Sequence, residues 1–78
     1  MKAWMQQHHG KRVHTQQRDK LTGSVWTPGP RTVDASRATY VTLGGSRRDY
    51  RGVKVVEKDA DRLTVEDEAH TITYTAAN

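Results

Sequence analysis

β-Branched residues dominate the non-polar part of this chain: 8 Val, 1 Ile and 10 Thr stand against 3 Leu and no Phe among 78 residues. Two heavy atoms on Cβ stiffen χ1 and crowd the preceding helical turn, whereas the same branching packs well on a pleated surface. With Leu, the usual helix-core residue, almost missing, a helical bundle is excluded and an all-β fold is expected. Only 33% of the residues are hydrophobic, so the core is small. At this size stability is marginal, and a self-association interface or a bound partner would add to it materially.

Alternation and turn signals place the strands. Residues 39–43 read as a strand, Gly44-Gly45-Ser46 as a turn, and residues 49–56 as a second strand with Val53 and Val55 on one face. Asp59-Ala60-Asp61 turns into a strand over 62–66, apolar at Leu63 and Val65. Residues 67–69 turn again into 71–75, with Ile72 and Tyr74 inward. Four consecutive strands form a meander, and the expected fold is a small, strongly curved antiparallel β-barrel of five to six short strands over residues 11–78.

The first half is less regular. Residues 12–15 read as a short strand, and residues 20–26 as another with Leu21, Gly23 and Val25 on one face, Trp26 on the other, and Gly23 at a bulge. Pro28-Gly29-Pro30 removes two backbone donors, so residues 28–37 read as a loop carrying Arg31 and Arg37. Residues 2–9 hold no β-branched side chain and precede Gly10, a suitable residue just past a helix end. Residues 1–10 are therefore a short helix, held down by Trp4, Met5 or both, or else a flexible tail.

Charge is unevenly distributed along the chain. Residues 1–54 hold 11 Lys or Arg against Asp19, Asp34 and Asp49, a net +8; residues 55–78 hold Lys58 and Arg62 against six acids, a net −4. Such a split points to nucleic acid, or to an acidic protein surface, at the basic part. The densest basic run is Arg47-Arg48-Asp49-Tyr50-Arg51, with Lys54 on the same expected strand. Alternation puts Arg48 and Tyr50 opposite Arg47, Asp49 and Arg51. Guanidinium groups flanking a turn reach phosphates bidentately, and Tyr50 or Tyr40 stacks on a base if exposed.

Catalytic and metal-binding patterns are poor. The chain has no Cys, which excludes disulfides, thiolate nucleophiles and thiolate zinc sites and favours a cytoplasmic setting. His8 and His9 are adjacent and diverge on a helix, so with His14 and His70 they make no convergent ligand set. Asp59, Asp61, Glu66, Asp67 and Glu68 fall in or beside two turns and follow no calcium-loop pattern. Gly44-Gly45-Ser46 lacks the Lys of a phosphate loop, and no Ser or Thr sits in a nucleophile elbow. No enzyme, metal or cofactor is expected, and no apolar run approaches the roughly 18 residues of a membrane span.

Val41-Thr42-Leu43, Tyr50-Arg51-Gly52-Val53, Asp59 and Leu63-Thr64-Val65-Glu66-Asp67 together resemble the first motif of Sm-like (Hfq-type) proteins, a V-x-L…G…D…L-x-L-E-D run over three bent strands. One extra residue lies before Gly52 and another before Asp59. Ile72-Thr73-Tyr74 would then stand where that family's last strand pairs with a neighbouring subunit. The same segment is similar to KOW-type small barrels. Both resemblances imply a five- or six-stranded barrel that binds RNA, DNA or protein through loops and strand edges.

The function expected from these features is a non-catalytic module that contacts nucleic-acid backbone through Arg12, Arg31, Arg37, Arg47, Arg48, Arg51 and Lys54, with Tyr50 available for stacking. The alternative is a structural or inhibitory protein of a phage or mobile element that docks on an acidic protein partner or assembles into a homo-oligomer.

Overall fold

The longest strand organises the fold. In the computed structural model, which describes residues 1–77, β1 (Arg12–Asp19) follows a short helix, α1 (Lys2–Gln7). After β1 come β2 (Val25–Trp26), β3 (Arg31–Asp34), β4 (Tyr40–Leu43), β5 (Ser46–Asp49), β6 (Lys54–Lys58), β7 (Arg62–Glu66) and β8 (His70–Ala76). One side of β1 pairs with β8 along its length, from Val13 opposite Ala76 to Asp19 opposite His70. The other side is shared: β3 takes the start, with Arg12 opposite Thr32, and β2 takes the end, with Gln17 opposite Trp26. The antiparallel sheet runs β5-β4-β3-β1-β8-β7-β6, with β2 attached to β1.

The all-β expectation holds, but the closed barrel does not: the described residues form eight strands rather than five or six, and the end strands β5 and β6 do not pair. Both edges carry charge, Arg47, Arg48 and Asp49 on one and Lys54, Glu57 and Lys58 on the other, and β6 has a register shift between Val55 and Glu57. Charged side chains and bulges are what keep strand edges from joining. The four-strand meander is also interrupted. The expected strand 49–56 splits into β5 and β6 because the chain turns at residues 50–52, where Gly52 has φ +80 and Tyr50 N–H bonds back to Thr39 O at 3.0 Å. β4 and β5 thus form a hairpin on one flank, while β6, β7 and β8 form a meander on the other.

Two readings of the first half change as well. Residues 20–24 form a turn, not a strand, because the Asp19 carboxylate accepts hydrogen bonds from Leu21 N (2.8 Å) and Thr22 N (2.9 Å), capturing backbone that a ladder would use. Gly23, at φ +76, closes that turn instead of making a bulge, and Leu21 is 94% exposed. Within the expected loop 28–37 lies β3. Pro30 precedes it, where a missing donor costs no ladder bond, and Val33 and Ala35 are buried.

The core is one cluster: Trp4, Met5, Val13, Val33, Ala35, Val41, Leu43, Leu63, Val65, Ile72 and Tyr74. The strand residues in it alternate, as Val41 and Leu43 do on β4, Leu63 and Val65 on β7, and Ile72 and Tyr74 on β8. At six residues α1 is too short to persist alone, and it is tied down by its own side chains. Trp4 and Met5 are buried, and Trp4 Nε1–H donates to Asp59 O in the β6–β7 turn at 2.9 Å. His8 stacks on the indole with ring centroids 3.8 Å apart and donates from Nδ1 to Trp4 O, while His9 Nδ1 accepts from Ala35 N at 3.0 Å. Residues 1–10 are therefore a docked helix and its turn. Among the described residues no helix is long and apolar enough to cross a membrane.

Candidate nucleic-acid interface

The inward face of the curled sheet changes character along its strands. On β1 it carries Val13 and Thr15, both buried, and then Gln17, only partly covered. Trp26 lies opposite Gln17 on β2 and shares its face. On the other flank, Ser46 and Arg48 of β5 lie opposite the core residues Leu43 and Val41, so they project to the same side. Arg31 precedes buried Val33 by two residues on β3 and joins them. The face that begins as apolar core thus ends in an open pocket of about 120 Å³ whose lining includes Gln17, Trp26, Arg31, Ser46, Arg47, Arg48 and, from the core side, Thr15 and Tyr74.

Each arginine here is held by a specific contact. The Arg31 guanidinium lies 5.1 Å from the Trp26 ring centroid and donates from Nη1 to Ser46 Oγ (3.0 Å) and Leu43 O (3.3 Å). Its aliphatic stem runs over Gly44 in the β4–β5 turn. Gly44 has φ +58, and a Cβ there would sit 3.1 Å from Arg31 Cγ and Cδ, so both conformation and space demand glycine. Arg47 lies 3.9 Å over the Tyr40 ring and donates from Nε to Asp49 at 3.1 Å. Arg48 donates from Nη2 to Gln17 Oε1 at 3.2 Å, with Nη1 3.8 Å from Asp67 Oδ2.

The electrostatics leave the pocket cationic. Partial burial opposes ionisation of Asp67, but hydrogen bonds from Ala69 N and His70 N, with the charges of His70 and Arg48, outweigh it and hold the carboxyl below its ordinary value. Burial pushes the Tyr74 hydroxyl up to about 12, with Asp67 adding to the rise and Arg48 opposing it, so it stays a protonated donor. Arg31 has no carboxylate partner among the described residues. On the indole's side of the sheet, Arg31 and Arg48 therefore face one carboxylate, Asp67, while Arg47 and Asp49 pair beside Tyr40 on the other side.

Of the basic residues singled out in the sequence, the fold gathers Arg31, Arg47 and Arg48 and disperses the rest. Arg12 is exposed at the start of β1 beside inward-facing Val13, and Arg37 lies in the exposed segment after β3 near Asp34. Arg51 is in the β5–β6 turn and Lys54 on the far edge strand. Tyr50 is not an exposed stacking ring: it packs against the core with its hydroxyl buried and unpartnered. The exposed aromatic ring is instead Trp26, at 50%, which sequence reading placed in a strand and left without a role. Its signal was a tryptophan directly before Thr27-Pro28-Gly29-Pro30, where a two-residue strand has little core to offer it.

The acidic and histidine residues take structural parts. The Asp59 carboxylate accepts from Asp61 N and that of Asp67 from Ala69 N and His70 N, which closes their turns. His8 and His9 dock α1, and among the described residues no three His, Asp or Glu side chains converge. Compared with protein-family models, with curated proteins and with solved structures, the chain has no match.

Proposed function

We propose that this protein is a non-catalytic binding module that contacts nucleic-acid backbone through a basic surface centred on Arg31, Arg47 and Arg48. The observation that carries this reading is their convergence with Trp26 on one concave, water-accessible pocket. Guanidinium groups pre-oriented by Ser46, Gln17 and aromatic faces lose less freedom on meeting a phosphate than free arginines do. Arg12, Arg37, Arg51 and Lys54 lie outside the pocket and add long-range attraction rather than contacts within it. Small barrel-like RNA-binding proteins of the Sm and KOW types remain the functional analogy. The test is fluorescence anisotropy from about 50 mM salt upward with duplex DNA, RNA and single strands, where the logarithm of the binding constant is expected to fall linearly with log salt, with a slope of about −0.7 to −0.9 per phosphate neutralised. No binding to any of them overturns the reading.

A second reading, docking on a protein or self-assembly, is favoured by the opposite edge. Every residue of β6 is exposed, including Val55 (41%) and Val56 (54%), and no strand pairs with its outer side. Light scattering during size-exclusion chromatography separates the two readings: a salt-sensitive oligomer without nucleic-acid affinity favours the second.

A further inference from the structure

We infer that the pocket takes a single unstacked nucleobase, so that the preferred ligand is single-stranded nucleic acid; this rests on the nucleic-acid reading above and specifies it. Trp26 is the stacking platform. It is the large aromatic side chain left half-exposed, it is anchored opposite Gln17, and one neighbour, the Arg31 guanidinium, already engages its ring at 5.1 Å. Base–aromatic stacking accepts any base, because every base has a π-face. Inside a duplex those faces are covered by neighbouring pairs, so the Trp26 ring meets the face of a base only when the strand is single or the base is displaced.

Size and polarity agree with this ligand. The pocket's volume, about 120 Å³, is on the scale of a single ring, since a closed cavity of roughly 150 Å³ holds one benzene, and its open side leaves the rest of the base in water. Hydrogen-bonding capacity for a base edge is left over around it. Gln17 spends its Oε1 on Arg48, leaving its amide N–H₂ to donate, and Ser46 accepts from Arg31, leaving its O–H to donate. Thr15, which also lines the pocket, is 8% exposed and its hydroxyl is buried with no partner. A buried hydroxyl without a partner is costly, and this one lies beneath the pocket floor, closed to solvent. Arg31 and Arg48 border the pocket from β3 and β5, where they meet the phosphates next to the inserted base, while Arg47, on the other face of β5, adds charge near its rim.

The test titrates the full chain against three labelled probes of equal length, about 12 nucleotides: an oligothymidylate, a duplex, and an abasic strand that keeps the phosphates but has no bases. The oligothymidylate is expected to bind at least about 5-fold more tightly than either other probe and to quench Trp26 emission, while buried Trp4 contributes a constant background. Trp26→Ala is expected to weaken oligothymidylate binding by roughly 5- to 150-fold, the equivalent of one stacked base, and to leave the duplex within about 2-fold. Trp26→Phe should restore much of the loss without the quench. Equal binding of all three probes, or an unchanged Trp26→Ala titration, overturns the base pocket while leaving the backbone reading intact. No shift with any probe overturns both. The abasic comparison uses the unaltered protein, so the inference stays falsifiable even if Trp26→Ala fails to fold.

Discussion

The two tryptophans mark two regions built from similar residues to opposite ends. Trp4 is 2% exposed, stacked on His8 and hydrogen-bonded to Asp59 O, and it fastens α1 to the β6–β7 turn. Trp26 is 50% exposed on a two-residue strand, with arginines rather than aliphatic side chains around it. The difference lies in what covers the inward face of the sheet. Where the helix covers it, the indole is core; where nothing covers it, an indole remains beside the guanidinium groups of Arg31 and Arg48.

The sharpest way to break this contrast is to truncate each ring. Trp4→Ala removes the largest fully buried side chain and is expected to cost about 3–5 kcal/mol, a large share of a small domain's stability. Urea melts followed by circular dichroism should show a collapse of the midpoint. Trp26→Ala should move it by no more than about 0.5 kcal/mol while abolishing Trp26-dependent quenching. Equal losses in the two variants would mean that Trp26 is structural too.

The next effect belongs to the turn under Arg31. Gly44→Ala forces a Cβ onto a left-handed residue and against the Arg31 stem at 3.1 Å. A cost of about 1–3 kcal/mol is expected, together with weaker oligonucleotide binding because Arg31 is displaced. A variant of unchanged stability and affinity would show that the close approach is unimportant. Thr15→Val should act in the opposite direction: it deletes an unpartnered buried hydroxyl at nearly constant shape and is expected to stabilise by about 1 kcal/mol. If Thr15→Val destabilises, the hydroxyl has a partner in solution and the orphan argument fails.

Acid sensitivity sharpens the contrast at the rim of the pocket. Asp67 ionises at lower pH in the folded chain than in the unfolded one. Its contribution is therefore present above the ordinary Asp value of about 3.9 and is lost as pH falls through the depressed folded value. Asp19 and Asp34 shift in the same direction, chiefly through hydrogen bonds from the Thr22 and Leu21 backbone and from Ser36. Urea midpoints should fall between about pH 5 and pH 3, less steeply in Asp67→Asn; parallel curves would remove Asp67 from the account. The smallest change is expected at Leu21, 94% exposed on its turn, where Leu21→Ser should alter stability by less than about 0.5 kcal/mol and leave binding unchanged.

The strands that alternate cleanly were legible in the sequence: β4, β7 and β8 lie where apolar residues recur at every second position, with Leu63, Val65, Ile72 and Tyr74 buried as expected. The helix was legible as one of two options, and Trp4 and Met5 do hold it. Less legible were the segments where a local side chain outranks the pattern. Asp19 diverts residues 20–24 into a turn, and Tyr50 with Gly52 ends β5 early, although both stretches carry β-forming residues. β3 was hidden by its flanking prolines because its only strong apolar signals are Val33 and Ala35. For the site, basic residue type identified Arg31, Arg47 and Arg48 but could not separate them from Arg12, Arg37, Arg51 and Lys54. Membership depends on which strands lie side by side.

The sequence by itself determined that the chain is all-β, that its strands break at Gly- and Asp-rich turns, and that its charge is split between a basic first part and an acidic second part. These follow from χ1 restriction, period-two alternation and counting, all of which are local. Only the tertiary structure decided that the sheet stays open, that β5 and β6 occupy opposite edges, and that Trp26 meets Arg31 and Arg48. Strand order is set by non-local pairing, above all by β1 lying between β3 and β8, and no spacing within one strand encodes its neighbours in space.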